Sequence, residues 1–105
     1  MRLLLVEDNA RLASLIREGL DRQGFAVDWC ETVDGAEHAL KINDYDLMLL
    51  DLGLPDGEGL DLVRALRRRQ DTMPILILTA LIAFAVHRAR RVVVLWIRSE
   101  TGRQR

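Results

Sequence analysis

The chain has 105 residues, 50% of them apolar and 30% charged, with a formal net charge of −1, which is enough for one modest hydrophobic core and therefore for a single domain. Its lone cysteine, Cys30, excludes an internal disulfide and lacks the partner spacing of a zinc site, as expected in a reducing cytoplasm. The longest apolar run, residues 75–86, is shorter than the roughly 18 residues of a membrane-spanning helix, so we expect a soluble cytoplasmic protein with no membrane partner.

Short apolar runs alternate with amphipathic helical patterns along the first 80 residues. Residues 3–6 predict a buried strand, and apolar residues at helical spacing follow it as far as Gly24. Three further strands are predicted at residues 25–29, 47–50 and 75–79, and two further helices at 33–40 and 60–66. Because the strands are apolar on both faces, this alternation predicts an α/β domain with a doubly wound parallel sheet.

Polar side chains stand at the carboxyl ends of three predicted strands. Glu7 and Asp8 follow the first strand, Asp51 ends the third and Thr79 ends the fourth. In a flavodoxin-like strand order of 2-1-3-4-5 the first and third strands are neighbours, so these groups would converge on one pocket. Two carboxylates about 4 Å apart repel by roughly 4 kcal/mol at an effective dielectric near 20, so the pocket needs a cation or a shared proton. Mg²⁺ prefers such oxygen ligands, and a carboxylate is also a competent nucleophile towards phosphorus.

Three motifs follow one another along the chain: LLLVEDN at residues 3–9, DLMLLDLGLPDGEGLDLVRALR at 46–67 and PILILTA at 74–80. In this order and spacing they resemble the receiver domain of two-component response regulators, especially those of the OmpR/PhoB type. The resemblance implies a flavodoxin-like (CheY-like) receiver core over residues 1–80. It also implies a phosphoacceptor that serves two-component signal transduction and is not itself an enzyme.

The resemblance further implies a role for each residue of the pocket. Asp51 would be the phosphoacceptor, and Thr79 would supply the switch hydroxyl that moves towards the phosphoryl group. Mg²⁺ would be bound directly by Asp8, Asp51 and the backbone carbonyl of Gly53, and through water by Glu7. The implied partner is a sensor histidine kinase whose phosphohistidine Asp51 attacks in line, and the implied output is control of transcription.

The resemblance ends near residue 80. Residues 1–80 carry 9 basic and 15 acidic side chains, whereas residues 81–105 carry 6 and 1. No lysine follows Lys41 to contact the phosphoryl group, and Arg98 is the candidate replacement, although its guanidinium fork is not equivalent to an ammonium group. We therefore expect residues 81–105 to be a divergent tail that replaces helix 4, strand 5 and helix 5 and leaves strand 5 and helix 5 incomplete or altered. We also expect a weakened homodimer, no DNA-binding domain and no direct DNA binding by this chain.

Two interpretations of the tail remain open. The tail could be a frameshift product, since GC-rich codons for residues 81–86 give Asp-Arg-Val-Arg-Gly in a neighbouring frame, which looks like the family's helix 4. Alternatively, residues 81–91 form a shortened helix 4 and residues 92–97 an edge strand. Two functional alternatives accompany these: a receiver remnant that cannot relay the signal, and an aspartate-dependent Mg²⁺ phosphohydrolase, which is disfavoured because that class has a second acid where this chain has Gly53.

Two further features have structural interpretations. Residues 55–57 have the composition of a turn, and Gly57 or Gly59 would permit a positive φ there. Trp29, at the end of the second predicted strand, is interpreted as a packing residue.

Overall fold

The computed structural model describes the backbone of residues 1–81 and 91–97 and the side chains of residues 1–78. In these residues the elements are β1 (Arg2–Val6), α1 (Ala10–Arg22), β2 (Ala26–Cys30), α2 (Val33–Ile42), β3 (Leu47–Asp51), β4 (Gly53–Leu54), β5 (Gly57–Glu58), α3 (Gly59–Arg68), β6 (Ile75–Leu81) and β7 (Arg91–Ile97). The four strands and three helices that the sequence predicts before residue 80 are all present. Among these described helices, none is both long enough and apolar enough to cross a membrane.

Five strands form one sheet in the order β2-β1-β3-β6-β7, which confirms the predicted flavodoxin-like order. The pairings of β1 with β2, of β1 with β3 and of β3 with β6 are parallel. In the central pairing Leu3 lies opposite Leu47 and Val6 lies opposite Leu50. The carboxyl ends of β1 and β3 therefore lie side by side at one rim of the sheet.

The outer strand β7 runs antiparallel to β6, with Ile97 opposite Ile75 and Arg91 opposite Leu81. An antiparallel neighbour can be reached through a short connection, whereas a parallel neighbour needs a crossover of about a dozen residues or more. Only residues 82–90 separate the two strands, which is too few for such a crossover. The alteration predicted at strand 5 is thus a reversed edge strand. The shortened helix 4 is predicted for residues 81–91. Leu81 and Arg91 belong to β6 and β7, and residues 82–90 lie outside the described part of the chain.

Helices cover both faces of the sheet. On one face the side chains of Leu4, Val6 and Leu50 pack with α2 and α3. On the other face Leu3 and Leu5 pack with Ala13 of α1. Strands β1 and β3 are apolar without alternation because they are buried on both sides.

Gly59 opens α3 at the point where this helix touches the end of β3. A Cβ atom at Gly59 would stand 2.7 Å from the carbonyl oxygen of Asp51 and 3.0 Å from the Cα of Leu52. The N–H of Gly59 also donates to the carbonyl of Leu52 at 2.9 Å. Neither Gly57 nor Gly59 has a positive φ, so the left-handed backbone that glycine permits is not used at either position. Close approach of α3 to β3, and not a left-handed backbone, is what requires glycine at position 59.

We expect Gly59→Ala to lower the free energy of unfolding by about 1–3 kcal/mol, because the new methyl group would press on backbone atoms that cannot move aside cheaply. The matched control is Gly57→Ala, whose Cβ would meet only the Cγ2 of Val33 at 3.6 Å, an ordinary contact. Urea unfolding followed by circular dichroism measures both variants. Equal stability of the two variants would contradict the explanation.

Candidate functional site

Three carboxylates meet where β1 and β3 end. Because Val6 lies opposite Leu50 in a parallel register, Glu7 and Asp51 occupy the next position on the two neighbouring strands. One oxygen from each of Glu7, Asp8 and Asp51 lies within 4.8 Å of the others. The structure thus brings together the three acids that the sequence predicts would converge.

Glu7 is held at its amide, its carbonyl and its side chain. Its N–H donates to the carbonyl of Cys30 at 3.0 Å. Its own carbonyl accepts the indole Nε1–H of Trp29 at 2.7 Å, and its carboxylate Oε2 accepts the N–H of Asn9 at 2.9 Å. With only 3% of its surface exposed, Glu7 is a buried carboxyl group with a fixed position.

Burial and mutual repulsion raise the pKa values of two of the three acids. Burial raises the pKa of Glu7 to about 7, the charges of Asp51 and Asp8 add to this effect, and the N–H of Asn9 opposes it. Burial also raises the pKa of Asp51, and the charge of Asp8 adds to it, while backbone N–H groups of the following loop lower it. In the absence of a cation, the raised pKa therefore keeps a substantial fraction of Glu7 protonated at neutral pH.

The donor set fits a hard divalent cation. The pocket offers an oxygen ligand from each of three carboxylate groups, and Mg²⁺ prefers oxygen ligands. Asp8 is exposed and Asp51 is half-buried, so a bound ion would keep access to solvent water. A divalent charge would also relieve the repulsion that raises the pKa values of Glu7 and Asp51.

Two other predicted site residues lie near the pocket along the backbone. Gly53 follows Asp51 by two residues and begins the short strand β4. Thr79 lies in β6, one residue beyond Leu78, which is the partner of Asp51 in the pairing of β3 with β6. The side chain of Thr79 and the whole of Arg98 lie outside the described residues, so their predicted roles stay predictions.

Asp56 anchors the loop between β3 and α3, a role that sequence analysis missed. Its carboxylate accepts the N–H of Val33 at 2.8 Å and the N–H of Asp34 at 3.0 Å, at the start of α2. The first N–H groups of a helix have no partner inside it, so a carboxylate satisfies them well. These hydrogen bonds lower the pKa of Asp56. The loop that carries Gly53 is thereby tied to a neighbouring helix.

We expect Glu7→Gln to raise the free energy of unfolding of the metal-free protein at pH 8 by about 1–3 kcal/mol. The size follows from the raised pKa of Glu7, because each pKa unit corresponds to about 1.36 kcal/mol. The pKa of Glu7 rises from 4.5 to about 7 on folding. Between pH 4.5 and about 7 the folded wild type therefore binds a proton that the unfolded chain has released. The free energy of unfolding of the wild type falls as the pH rises through this range. Glutamine resembles the protonated carboxyl group, so the advantage should vanish at about pH 4.

Urea unfolding in EDTA at the two pH values measures this difference. Glu37→Gln, which removes an exposed carboxylate from α2, controls for the general loss of a negative charge. If Glu7→Gln were less stable than wild type at pH 8, burial and repulsion would not be the forces that act on this carboxyl group in the folded protein.

Known proteins resemble this chain in both sequence and structure. The family described as “Response regulator receiver domain” matches residues 3–92. The transcriptional regulatory protein CusR of Escherichia coli is 44% identical over 81 residues, which are 77% of this chain and 36% of that protein. The chain thus spans about a third of the length of this relative.

Solved structures give the same picture. The non-phosphorylated HemR receiver domain of Leptospira biflexa has a TM-score of 0.71 and 40% identity, covering 76% of this chain and 64% of that chain. The response regulator TrrA of Thermotoga maritima, solved in complex with Mg²⁺ and BeF, has a TM-score of 0.72 and 28% identity, covering 82% of this chain and 75% of that chain. These similarities confirm the predicted fold.

Proposed function

The chain belongs to the response regulator receiver domain family, and from this premise we propose that it accepts a phosphoryl group on Asp51 in a Mg²⁺-dependent two-component phosphorelay. The observation that carries the proposal is the meeting of Glu7, Asp8 and Asp51 at the ends of two adjacent strands. The proposed donor is a phosphohistidine of a sensor histidine kinase. The protein takes up one phosphoryl group per molecule and is proposed as an acceptor and not as an enzyme.

In the proposed reaction a carboxylate oxygen of Asp51 attacks the phosphorus in line. The new O–P bond forms as the P–N bond of the phosphohistidine breaks, and the electron pair of that bond stays on the imidazole. Mg²⁺, held by Asp8, Asp51 and the carbonyl of Gly53 and through water by Glu7, would supply positive charge to the phosphoryl oxygens. The fixed position of Glu7 and the end of β3 keep the nucleophile and the cation ligands at one rim of the sheet.

Thr79 is proposed as the hydroxyl that contacts the phosphoryl group after transfer. Support comes from its place in β6, on the strand next to β3 and one residue past the partner of Asp51. A contact of this kind would let the phosphorylation state of Asp51 change the conformation of β6.

The proposed output is control of transcription, since CusR is a transcriptional regulatory protein and the relatives are OmpR/PhoB-type regulators. Cytoplasmic phosphotransfer fits the free thiol of Cys30. A homodimer weakened by the tail and the lack of direct DNA contact stay predictions. The alternative of a truncated or frameshifted remnant is less well supported, because the family match continues past residue 80 to residue 92.

We expect radiolabelled acetyl phosphate with Mg²⁺ to label wild type on Asp51, and Asp51→Asn to lose the label completely because an amide is not a competent nucleophile here. The label should be stable in acid and labile in alkali, as an acyl phosphate is, and should disappear in EDTA. Gel autoradiography measures it. Asp46→Asn, which lies just before the opposite end of β3, is the matched control and should keep the label.

Equal labelling of Asp51→Asn and wild type would overturn the assignment of the acceptor. Steady release of phosphate over many turnovers would favour the phosphohydrolase alternative.

A further inference from the structure

We infer that Trp29 is a positioning residue for the acid pocket: its indole N–H holds the peptide group that joins Glu7 to Asp8 and thereby sets the affinity of the pocket for Mg²⁺. The inference rests on the proposed function, because it takes Asp8 and Asp51 as the metal ligands. It assigns Trp29 a polar role in addition to the packing role that the sequence indicates.

The indole takes the place of a backbone donor that is missing at the end of the sheet. Strands β1 and β2 pair as far as Val6 opposite Cys30, and the N–H of Glu7 still donates to the carbonyl of Cys30. Strand β2 then ends, and the chain enters α2 at Val33. The carbonyl of Glu7 has therefore passed the end of the backbone ladder, and its described donor is the Nε1–H of Trp29 at 2.7 Å.

Packing fixes the direction from which the indole donates. Trp29 lies opposite Leu5 in the pairing of β1 with β2. Its half-buried ring packs against the cluster on the α1 side of the sheet, which includes Leu3, Leu5 and Ala13. A ring wedged between the sheet and α1 has few other positions open to it, so the N–H stays aimed at the rim of the sheet.

The peptide group held by this bond determines where Asp8 stands. Glu7 is buried, whereas Asp8 is exposed. The backbone carbonyl of Glu7 and the backbone N–H of Asp8 belong to the same planar peptide group, so a hydrogen bond to the carbonyl also orients the backbone of Asp8. The side chain of Asn9 accepts the N–H of Leu12 at 3.0 Å and so fixes the far side of this segment as the cap of α1. Without the indole donor the peptide between these two fixed points gains freedom to rotate, and the carboxylate of Asp8 moves with it.

The expected effect is a loss of Mg²⁺ affinity. Groups that orient metal ligands typically contribute about 10- to 100-fold to metal affinity. Because Trp29 acts on Asp8 through the backbone and not on its carboxylate, we expect Trp29→Phe to weaken Mg²⁺ binding by about 3- to 10-fold. Phenylalanine keeps an aromatic ring in the cluster and removes only the N–H donor.

Isothermal titration of metal-free protein with MgCl₂ measures the affinity of wild type, Trp29→Phe and a matched control, Tyr45→Phe. The control also removes one aromatic hydrogen-bond donor, the Tyr45 hydroxyl that donates to Asp28 at 2.6 Å, from a residue that lies before β3 and away from the pocket. If Trp29 had only a structural role, both variants would be less stable than wild type, and both would bind Mg²⁺ with the wild-type affinity. The inference predicts weaker binding for Trp29→Phe alone.

A second measurement avoids any variant of Trp29. In a ¹H–¹⁵N spectrum of wild type, the indole resonance that is absent from Trp29→Phe should shift on addition of Mg²⁺ and saturate with the calorimetric binding curve. The same resonance should stay in place in Asp51→Asn at those Mg²⁺ concentrations.

The outcomes separate the inference from the proposed function. Failure of wild type to bind Mg²⁺ would overturn the proposed function, and the inference with it. If wild type binds Mg²⁺ but Trp29→Phe binds it with equal affinity, the inference alone is overturned. The same holds if wild type binds Mg²⁺ but its Trp29 indole resonance does not shift.

Discussion

The parallel pairing of β1 with β3 is the constraint on which the rest of the molecule depends. With Val6 opposite Leu50, the next residues along the two strands are Glu7 and Asp51, and Asp8 follows at once. A register shifted by one residue would exchange the faces of every side chain in the strand. Because side chains from both faces pack into separate helical layers, the apolar core itself fixes the spacing of the acids.

Three carboxylates this close together lower the free energy of unfolding until a cation or a proton binds among them. Burial raises the pKa values of Glu7 and Asp51, and the charge of Asp8 adds to both effects. Two backbone contacts hold the shape of the pocket. The start of α3 at Gly59 packs closely against the end of β3, and the carboxylate of Asp56 accepts a hydrogen bond from the start of α2. The core and these anchors stabilise the fold sufficiently for three acids to be kept within reach of one ion.

The sequence predicts the core of this fold because apolar runs, helical spacing and acids at strand ends are all local patterns. Trp29 and Asp56 escaped that analysis because their partners lie 22 or more residues away in the chain. The direction of β7 escaped it as well, since an apolar run predicts a strand but not the orientation of its neighbour. Once the structure gives the ends of β6 and β7, the nine residues 82–90 between them prove too few for a parallel crossover.

Glu7, Asp8 and Asp51 are proposed to form one site for a hard divalent ion. Mn²⁺ shares the preference of Mg²⁺ for oxygen ligands and broadens the amide resonances of nearby residues, so titration of ¹⁵N-labelled protein with Mn²⁺ tests the claim most directly. We expect broadening centred on Asp8, Asp51 and Gly53, and we expect excess Mg²⁺ to reverse it. Broadening centred on another acidic surface, or none that Mg²⁺ reverses, would contradict the proposal.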